Sequence, residues 1–263
     1  MSDSLTTVSD KSGMLPGSLV HVGDVHEGVT RLSVVDYTSG YANEHSIQSI
    51  SELGQYKDSS SITWVIIEGL AEVGVVADVG KMFDIHPLVL EDILNTHQRP
   101  KFEEYDDYLF IVLKCLMPEK GEFAVNYEQI SLLMLNNVVL MFKEKTDDLF
   151  HPLLKQLRSS KGRLRSLGSD YLTYAILDTV VDQGFLLIDA LDETVILVEN
   201  DVYDNPTPAT LNQIQRLKRE MINVRRNISP VREMLSGMLR SESPLINEHT
   251  YLYLRDVADH SLR

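Results

Sequence analysis

A run of apolar residues at heptad spacing constrains the fold of this chain more than any other feature. The residues follow one another at alternating intervals of three and four: Ile214, Leu217, Met221, Val224, Ile228, Val231, Leu235 and Met238. This spacing places them on one face of a long helix that must pack against another element. Pro230 lies inside the run and is expected to kink or locally unwind that helix.

A second apolar stripe precedes the first one and predicts a partner helix from about Asp170 to Tyr203. Its members are Ile176, Val180, Leu187, Leu191, Thr194 and Val198. Between the two patterns lies the short segment Asp204–Pro208, whose prolines end one helix and begin the next. We therefore predict an antiparallel helical hairpin.

The two predicted arms of the hairpin carry opposite charges. The first arm holds the acids Asp178, Asp182, Asp189, Asp192, Glu193, Glu199 and Asp201, and the second holds the bases Arg216, Lys218, Arg219, Arg225, Arg226 and Arg232. Ion pairs between the arms are the simplest interpretation, although exposed pairs stabilise a fold little. Asp178 and Asp182 are four residues apart and share a helix face, so they repel each other unless a base or a cation neutralises them.

The first part of the chain alternates strand and helix patterns and predicts a mixed sheet with helices packed on it. Strands are expected at 18–25, 30–37, 62–67, 108–117, 130–135 and 138–142, and helices at 46–53, 72–83 and 152–158. Asn136 and Asn137 predict a two-residue hairpin turn, because Asn tolerates a positive φ. The predicted fold class is α+β: an N-terminal mixed sheet flanked by helices, followed by the helical hairpin and the start of a stalk helix.

The predicted boundaries are a disordered tail at 1–16, an α/β domain at 17–165, the hairpin at 166–240 and the stalk start at 241–263. The last segment continues as an amphipathic helix with Asp256, Asp259 and His260 within one turn. It reaches Leu262 and Arg263 without a capping residue, so we expect that the helix continues further.

Charge and composition exclude several function classes. The net charge is −15, and residues 1–150 alone carry 24 acids and 10 bases. This acidic half argues against nucleic-acid binding, which needs a basic surface. The single cysteine, Cys115, excludes an internal disulfide and is expected in a buried strand. No secretory signal and no apolar run of about 18–20 residues is seen, so we do not expect this chain to span a membrane.

The segment HPLVLEDILNTHQRPK, from His86 to Lys101, is the most distinctive motif of the sequence. Pro87 suits the first turn of a helix, where a missing N–H costs nothing. Glu91 and Asp92 are adjacent carboxylates on that helix. Taken alone, such acids are most simply interpreted as solvated helix residues.

In the order of its residues, however, this motif resembles the cytoplasmic domain of CorA-type magnesium/cobalt channels. The resemblance extends from about residue 60 onward and includes Val139–Lys145, Asp170–Asp182 and Tyr253–His260. It implies a homopentamer with a funnel-shaped α/β domain, a helical hairpin and a stalk helix that leads to the membrane. The family's two transmembrane helices and its Gly-Met-Asn signature are missing here, so we expect the cytoplasmic part of such a channel, attached to the cell membrane only through those missing helices.

The resemblance also implies regulatory cation sites between neighbouring subunits. Asp92 of one subunit would face Asp256 of the next at the main magnesium site, and the residues matching a second, peripheral site are Glu91, Asp178, Asp182 and His260. Carboxylates suit Mg²⁺, which keeps several waters and needs only one or two of them. His260 would suit Co²⁺ or another transition metal better, and taken alone it is more simply an exposed stalk histidine.

The implied function is that of a non-enzymatic gating domain. Bound magnesium would screen the repulsion between the acids and hold the ring closed, and its loss would let the subunits separate. Two alternatives stay open. One is a metal-dependent enzyme that uses Glu91, Asp92 and a histidine, although no nucleophile–base pair or phosphate-binding loop supports it. The other is a metal-independent scaffold or interaction module whose hairpin binds a partner.

Overall fold

The computed structural model describes residue 13 and residues 15–23, 29–119, 124–159, 162–204 and 207–260. The disordered tail predicted at 1–16 falls almost entirely outside the described residues, as do residues 24–25 of the strand predicted at 18–25. The described strands are β1 Arg31–Tyr37, β2 Ala42–Ile47, β3 Ile62–Glu68, β4 Lys101–Glu104, β5 Leu109–Pro118, β6 Val125–Met134 and β7 Val138–Lys143. The described helices are α1 Gly54–Lys57, α2 Val73–Met82, α3 Pro87–Leu94, α4 His151–Ser159, α5 Ser169–Asp204, α6 Pro208–Arg240 and α7 Glu248–His260.

The strands form one mixed sheet in the order β2-β1-β3-β7-β6-β5-β4. β3 and β7 pair in parallel, and the other neighbours are antiparallel. Along β3, Trp64 and Ile66 pack on one face, while Val65 and Ile67 pack on the other. Because helices cover both faces, the central strands are continuous apolar runs rather than alternating ones. This arrangement confirms the predicted fold class.

The two faces of the sheet have separate cores. Helices α2 and α3 cover the face that holds Val65 and Phe110. Residues of α4, α5, α6 and α7 cover the face that holds Trp64 and Ile111. Cys115 is buried in β5, as predicted.

Helices α5 and α6 form the predicted antiparallel hairpin. Val180 lies in the same core as Val231, and Leu187 lies in the same core as Val224. Residue numbers thus rise along α5 while those of their partners on α6 fall, which is the antiparallel arrangement. The α6 helix begins after the Thr207 cap and continues through Pro230 without interruption, so the local unwinding expected there does not occur. The heptad seam is buried from Val224 to Met238 except at the half-buried Ile228, whereas Ile214 and Met221 nearer the tip are exposed.

Two local predictions were wrong, and a third, the turn at 136–137, was right in position but not in backbone conformation. Ser46–Leu53 is not a single helix, because β2 continues to Ile47 and a 3₁₀ turn begins only at Ile50. Residues 18–23 form no strand, although Val22 forms an isolated bridge with Asn95. The 136–137 turn does connect β6 to β7, with the Leu135 N–H donating to the Val138 carbonyl at 2.8 Å. Neither Asn has a positive φ, however, since Asp84 is the only described non-glycine residue that has one.

Candidate cation sites

The first pair of predicted site residues lies on α3. His86 caps this helix, since its Nδ1 accepts from the Leu88 N–H at 3.2 Å, and Pro87 occupies the first turn. The apolar residues of α3 are buried against the sheet: Val89, Leu90, Ile93 and Leu94. Glu91 and Asp92 therefore lie on the other side of the helix, and both are half-buried.

The carboxylate of Asp92 is already occupied by partners from its own motif. Its Oδ2 lies 2.6 Å from the Lys101 Nζ, and its Oδ1 accepts from the Gln98 Nε2 at 2.6 Å. Lys101 also contacts Glu103 at 2.7 Å. Burial opposes the charge of Lys101, but its hydrogen bonds to these two carboxylates hold its pKa above the ordinary value. A cation at Asp92 must therefore compete with an ammonium group.

Glu91 plays a different part from Asp92. Its Oε2 accepts from the Gly17 N–H at 2.7 Å and ties the N-terminal segment to α3. Gly17 has a φ of +82°, a conformation that favours glycine, and a Cβ there would lie 3.1 Å from Pro87. Glu91 thus holds the N-terminal segment at Gly17 against α3.

The second group of predicted site residues lies where α5 and α7 run side by side. Asp170 fixes the start of this contact, because its Oδ2 accepts from the Asn247 N–H at 2.9 Å and from the Thr250 Oγ1 at 2.6 Å. Further along, the His260 Nε2 lies 3.8 Å from the Asp256 Oδ1. Tyr174 of α5 packs on Tyr253 of α7, and Asp178 interacts with the charge of Asp256, so both helices run in the same direction from Asp170.

Asp178 lies half-buried at the centre of this group. Burial raises the pKa of its carboxyl group, the charges of Asp182 and Asp256 raise it further, and His260 partly offsets them. The two acids four residues apart on α5 thus do repel each other, as their spacing predicts. Among the described residues, no lysine or arginine forms an ion pair with Asp178, Asp182 or Asp256.

The six predicted site residues therefore fall into two groups within one chain. Asp92 and Glu91 lie on α3 and interact with β4 and with the N-terminal segment, respectively. The other four residues, on α5 and α7, form the second group: Asp178, Asp182, Asp256 and His260. In the part of the chain that the structure describes, no three His, Cys, Asp or Glu side chains are placed to hold a metal ion together. The groups offer carboxylates of the type that a hydrated Mg²⁺ binds, but one chain alone supplies no closed ligand set.

Sequence reasoning did not single out Lys101 and Gln98 as partners of Asp92. The signal was present, because both belong to the motif that begins at His86. It also missed the aromatic contact of Tyr171, Tyr174 and Tyr253, whose ring centroids lie 5.0–5.2 Å apart beside Asp178.

A family model described as "CorA-like Mg2+ transporter protein" matches residues 59–263. The chain belongs to this family. The CorA-family chain is 39% identical over 256 residues to the cobalt/magnesium transport protein CorA of Thermotoga maritima, which covers 97% of the chain and 73% of that protein. It is also 26% identical over 181 residues to the putative metal ion transporter YfjQ of Bacillus subtilis, covering 69% of the chain and 55% of that protein.

The fold of the CorA-family chain also matches solved structures. The soluble domain of CorA from Methanocaldococcus jannaschii superposes with a TM-score of 0.69 at 15% identity, covering 87% of this chain and 88% of that one. At this identity the match concerns the fold. Within the described residues, no helix is both long and apolar enough to cross a bilayer.

Proposed function

We propose that this chain is the cytoplasmic regulatory part of a CorA-like magnesium/cobalt channel and that it senses divalent cations at acidic sites between the subunits of a pentamer. One observation carries the proposal: the carboxylate of Asp178 interacts with the charges of Asp182, Asp256 and His260, and among the described residues no lysine or arginine forms an ion pair with these three acids. Their repulsion is a cost that a bound cation would remove.

The incomplete ligand sets support a site shared between subunits. Mg²⁺ keeps most of its waters and needs one or two carboxylates, so Asp92 of one subunit and Asp256 of the next would suffice. The peripheral group of Glu91, Asp178, Asp182 and His260 would bind a second ion, and its imidazole would favour Co²⁺ over Mg²⁺. Such an ion stabilises the closed ring only by its difference in affinity between the closed and open states.

The Lys101 contact makes Asp92 a responsive site rather than a tight one. A cation that reaches Asp92 must replace the 2.6 Å ion pair with Lys101. The exchange lowers the net affinity, so the site would empty when magnesium falls. In this scheme the α/β domain at 17–165 and the hairpin at 166–240 face the cytoplasm, and the stalk that starts at 241–263 transmits the change toward the membrane.

The test measures thermal unfolding and sedimentation across a magnesium series, with NaCl matched for ionic strength. We expect Mg²⁺ to stabilise or assemble the chain more than NaCl does, and we expect Asp92→Lys or Asp256→Lys to remove that excess. Asp192→Lys is the matched control, because Asp192 is an exposed acid on α5 outside both groups.

Two outcomes would contradict the proposal. If the chain associates but responds to Mg²⁺ no more than to NaCl, the acids serve solubility and a metal-independent interaction module is favoured. If Asp192→Lys reduces the response as much as Asp92→Lys does, the effect comes from overall charge rather than from these sites.

A further inference from the structure

An apolar pocket of about 250 Å³ lies between the sheet and the helical hairpin. On α5 its wall is formed by Val181, Phe185 and Ile188, and on β5 by Leu113 and Leu116. None of the predicted cation-site residues lines it. A pocket of this kind, with an apolar wall and few polar groups, is the usual form of a small-molecule site.

Gly184 keeps this pocket open. It lies in the middle of α5, and a Cβ at this position would meet no atom within 4 Å. A glycine inside a helix costs about 1 kcal/mol relative to alanine. Here a larger side chain would point into the pocket and fill it, so the glycine preserves the space at the expense of helix stability.

A second pocket, of about 540 Å³, adjoins the apolar one, because Lys114 and Asn227 line both. Its wall adds two exposed arginines, Arg99 from the loop after α3 and Arg226 from α6. The acid in its lining is Glu144, whose Oε1 accepts from the backbone N–H of Gln129. The balance of charge in this basic pocket is therefore positive, although the whole chain has a net charge of −15.

We propose that the two pockets together bind an amphipathic carboxylate, the anion of a medium-chain fatty acid. The alkyl chain would lie in the apolar pocket beside Gly184 and Phe185, where its burial is favourable. The carboxylate would lie in the basic pocket, where the Arg226 guanidinium can donate two parallel hydrogen bonds to it. The apolar pocket alone is smaller than most small-molecule sites, which have about 300–1,000 Å³, but the joined pockets reach that range.

The pairing of the pockets decides between ligand classes. A neutral apolar ligand would use only the space beside Gly184 and would gain nothing from the three bases. A small anion would use only the basic pocket and would leave the apolar wall exposed to water. An amphipathic anion uses both pockets, which adjoin at Lys114 and Asn227.

The test is isothermal titration calorimetry of the whole chain with decanoate, in a buffer that holds EDTA so that divalent cations play no part. Decanol, which lacks the charge, and butyrate, which lacks the long tail, are the comparison ligands. We expect one decanoate per chain, and we expect each comparison ligand to bind at least about tenfold more weakly.

Variants separate the two pockets. Gly184→Leu should abolish decanoate binding by filling the apolar pocket, and the open space beside this glycine predicts that the variant folds. Arg226→Gln, at an exposed position, should weaken binding about tenfold or more by removing the charged hydrogen bonds. The controls are Gly74→Leu, at a helical glycine that also faces open space, and Arg219→Gln, at an exposed arginine of α6 outside both pockets.

The proposal is overturned by any of three results: no heat of binding with decanoate, equal affinities for decanoate and decanol, or unchanged affinity in both Gly184→Leu and Arg226→Gln. Unfolding midpoints of the variants, measured beside the calorimetry, show whether a loss of binding reflects a loss of fold.

Discussion

At the scale of single residues, the chain contains carboxylates in strained electrostatic surroundings at two separate places. One is the α5–α7 group around Asp178, which is open to solvent on one side. The other lies inside the α/β part, where Glu128 on β6 is fully buried near Lys143 and Asp147. The first has a proposed role in cation binding, whereas the second concerns the stability of the fold. Each predicts a distinct dependence on pH.

Replacing Asp178 by Asn should stabilise the chain at neutral pH without divalent cations. The change removes repulsion with Asp182 and Asp256, and a like-charge pair at this helical spacing costs about 0.2–0.5 kcal/mol. Since the folded-state pKa of Asp178 is raised, the wild-type residue takes up a proton as the pH falls through that pKa, and the advantage of the variant should then shrink. Urea unfolding at pH 7 and pH 4 in EDTA checks this, with Asp192→Asn as the exposed control. An advantage that persists unchanged at pH 4 would refute the electrostatic explanation.

Glu128 should make the wild-type chain less stable as the pH rises. Burial raises its pKa from 4.5 to about 8, with Lys143 opposing and Asp147 adding to the shift. A carboxyl group with a raised folded-state pKa contributes stability that is fully present below pH 4.5 and is lost as the pH rises through about 8. Relative to Glu128→Gln, the wild type should therefore lose on the order of 1–4 kcal/mol of unfolding free energy between pH 5 and pH 9. Denaturant titrations over that range test it, and the exposed Glu199→Gln should show no such divergence.

At the scale of elements, close packing between α2 and α3 fixes the position of the helix that carries Asp92. Gly80 of α2 lies against Leu90 of α3, and a Cβ at Gly80 would come within 2.3 Å of the Leu90 Cδ1. Leu90 is buried, so it has little room to change rotamer. The helix that carries the HPLVLED motif is thus placed by a glycine that the motif itself does not contain.

Gly80→Ala should therefore destabilise the chain by about 1–3 kcal/mol, the usual cost of overpacking a well-packed core. Gly74→Ala on the same helix is the matched control: its Cβ meets open space, and alanine favours helix, so it should be neutral or slightly stabilising. Thermal or urea unfolding of the pair gives the comparison. Equal stabilities for the two variants would show that α3 shifts freely to accommodate the added methyl group.

At the scale of the whole molecule, the sequence predicts elements that are long or strongly patterned. It does not predict elements and contacts that depend on how neighbouring elements pack. The heptad period of α6 predicts its helix, and the short apolar runs of β3 and β5, rich in β-branched and aromatic residues, predict their strands. The strand β2 was missed because it is an edge strand whose residues Asn43–Ser46 are all exposed, so its sequence shows no apolar period. The residues of the α5–α7 acid group could be proposed from the family resemblance. The ion pair between Lys101 and Asp92, with which a cation must compete, could not, because it depends on how β4 lies beside α3.

The opposite charges of the hairpin arms illustrate the same limit. The simplest interpretation of the sequence was ion pairing between α5 and α6. Among the described residues, no acid of α5 forms an ion pair with a base of α6. The arms are held together instead by apolar pairs such as Leu187 with Val224. The charges therefore remain available for surfaces outside the hairpin, and Arg226 in the basic pocket is one instance.

The buried carboxylate of Asp170 gives α7 a fixed pivot. It is 3% exposed and accepts from Asn247 and Thr250 at the start of α7, whereas Asp256 and Asp259 in the second half of the helix are exposed. Ten residues of helix separate Thr250 from His260, which corresponds to about 15 Å. Any tilt of α7 that keeps these hydrogen bonds must turn about Asp170, so α7 acts as a lever. A change in the spacing of Asp178 and Asp256, which lies about 9 Å along this arm, is then enlarged in proportion to distance toward His260.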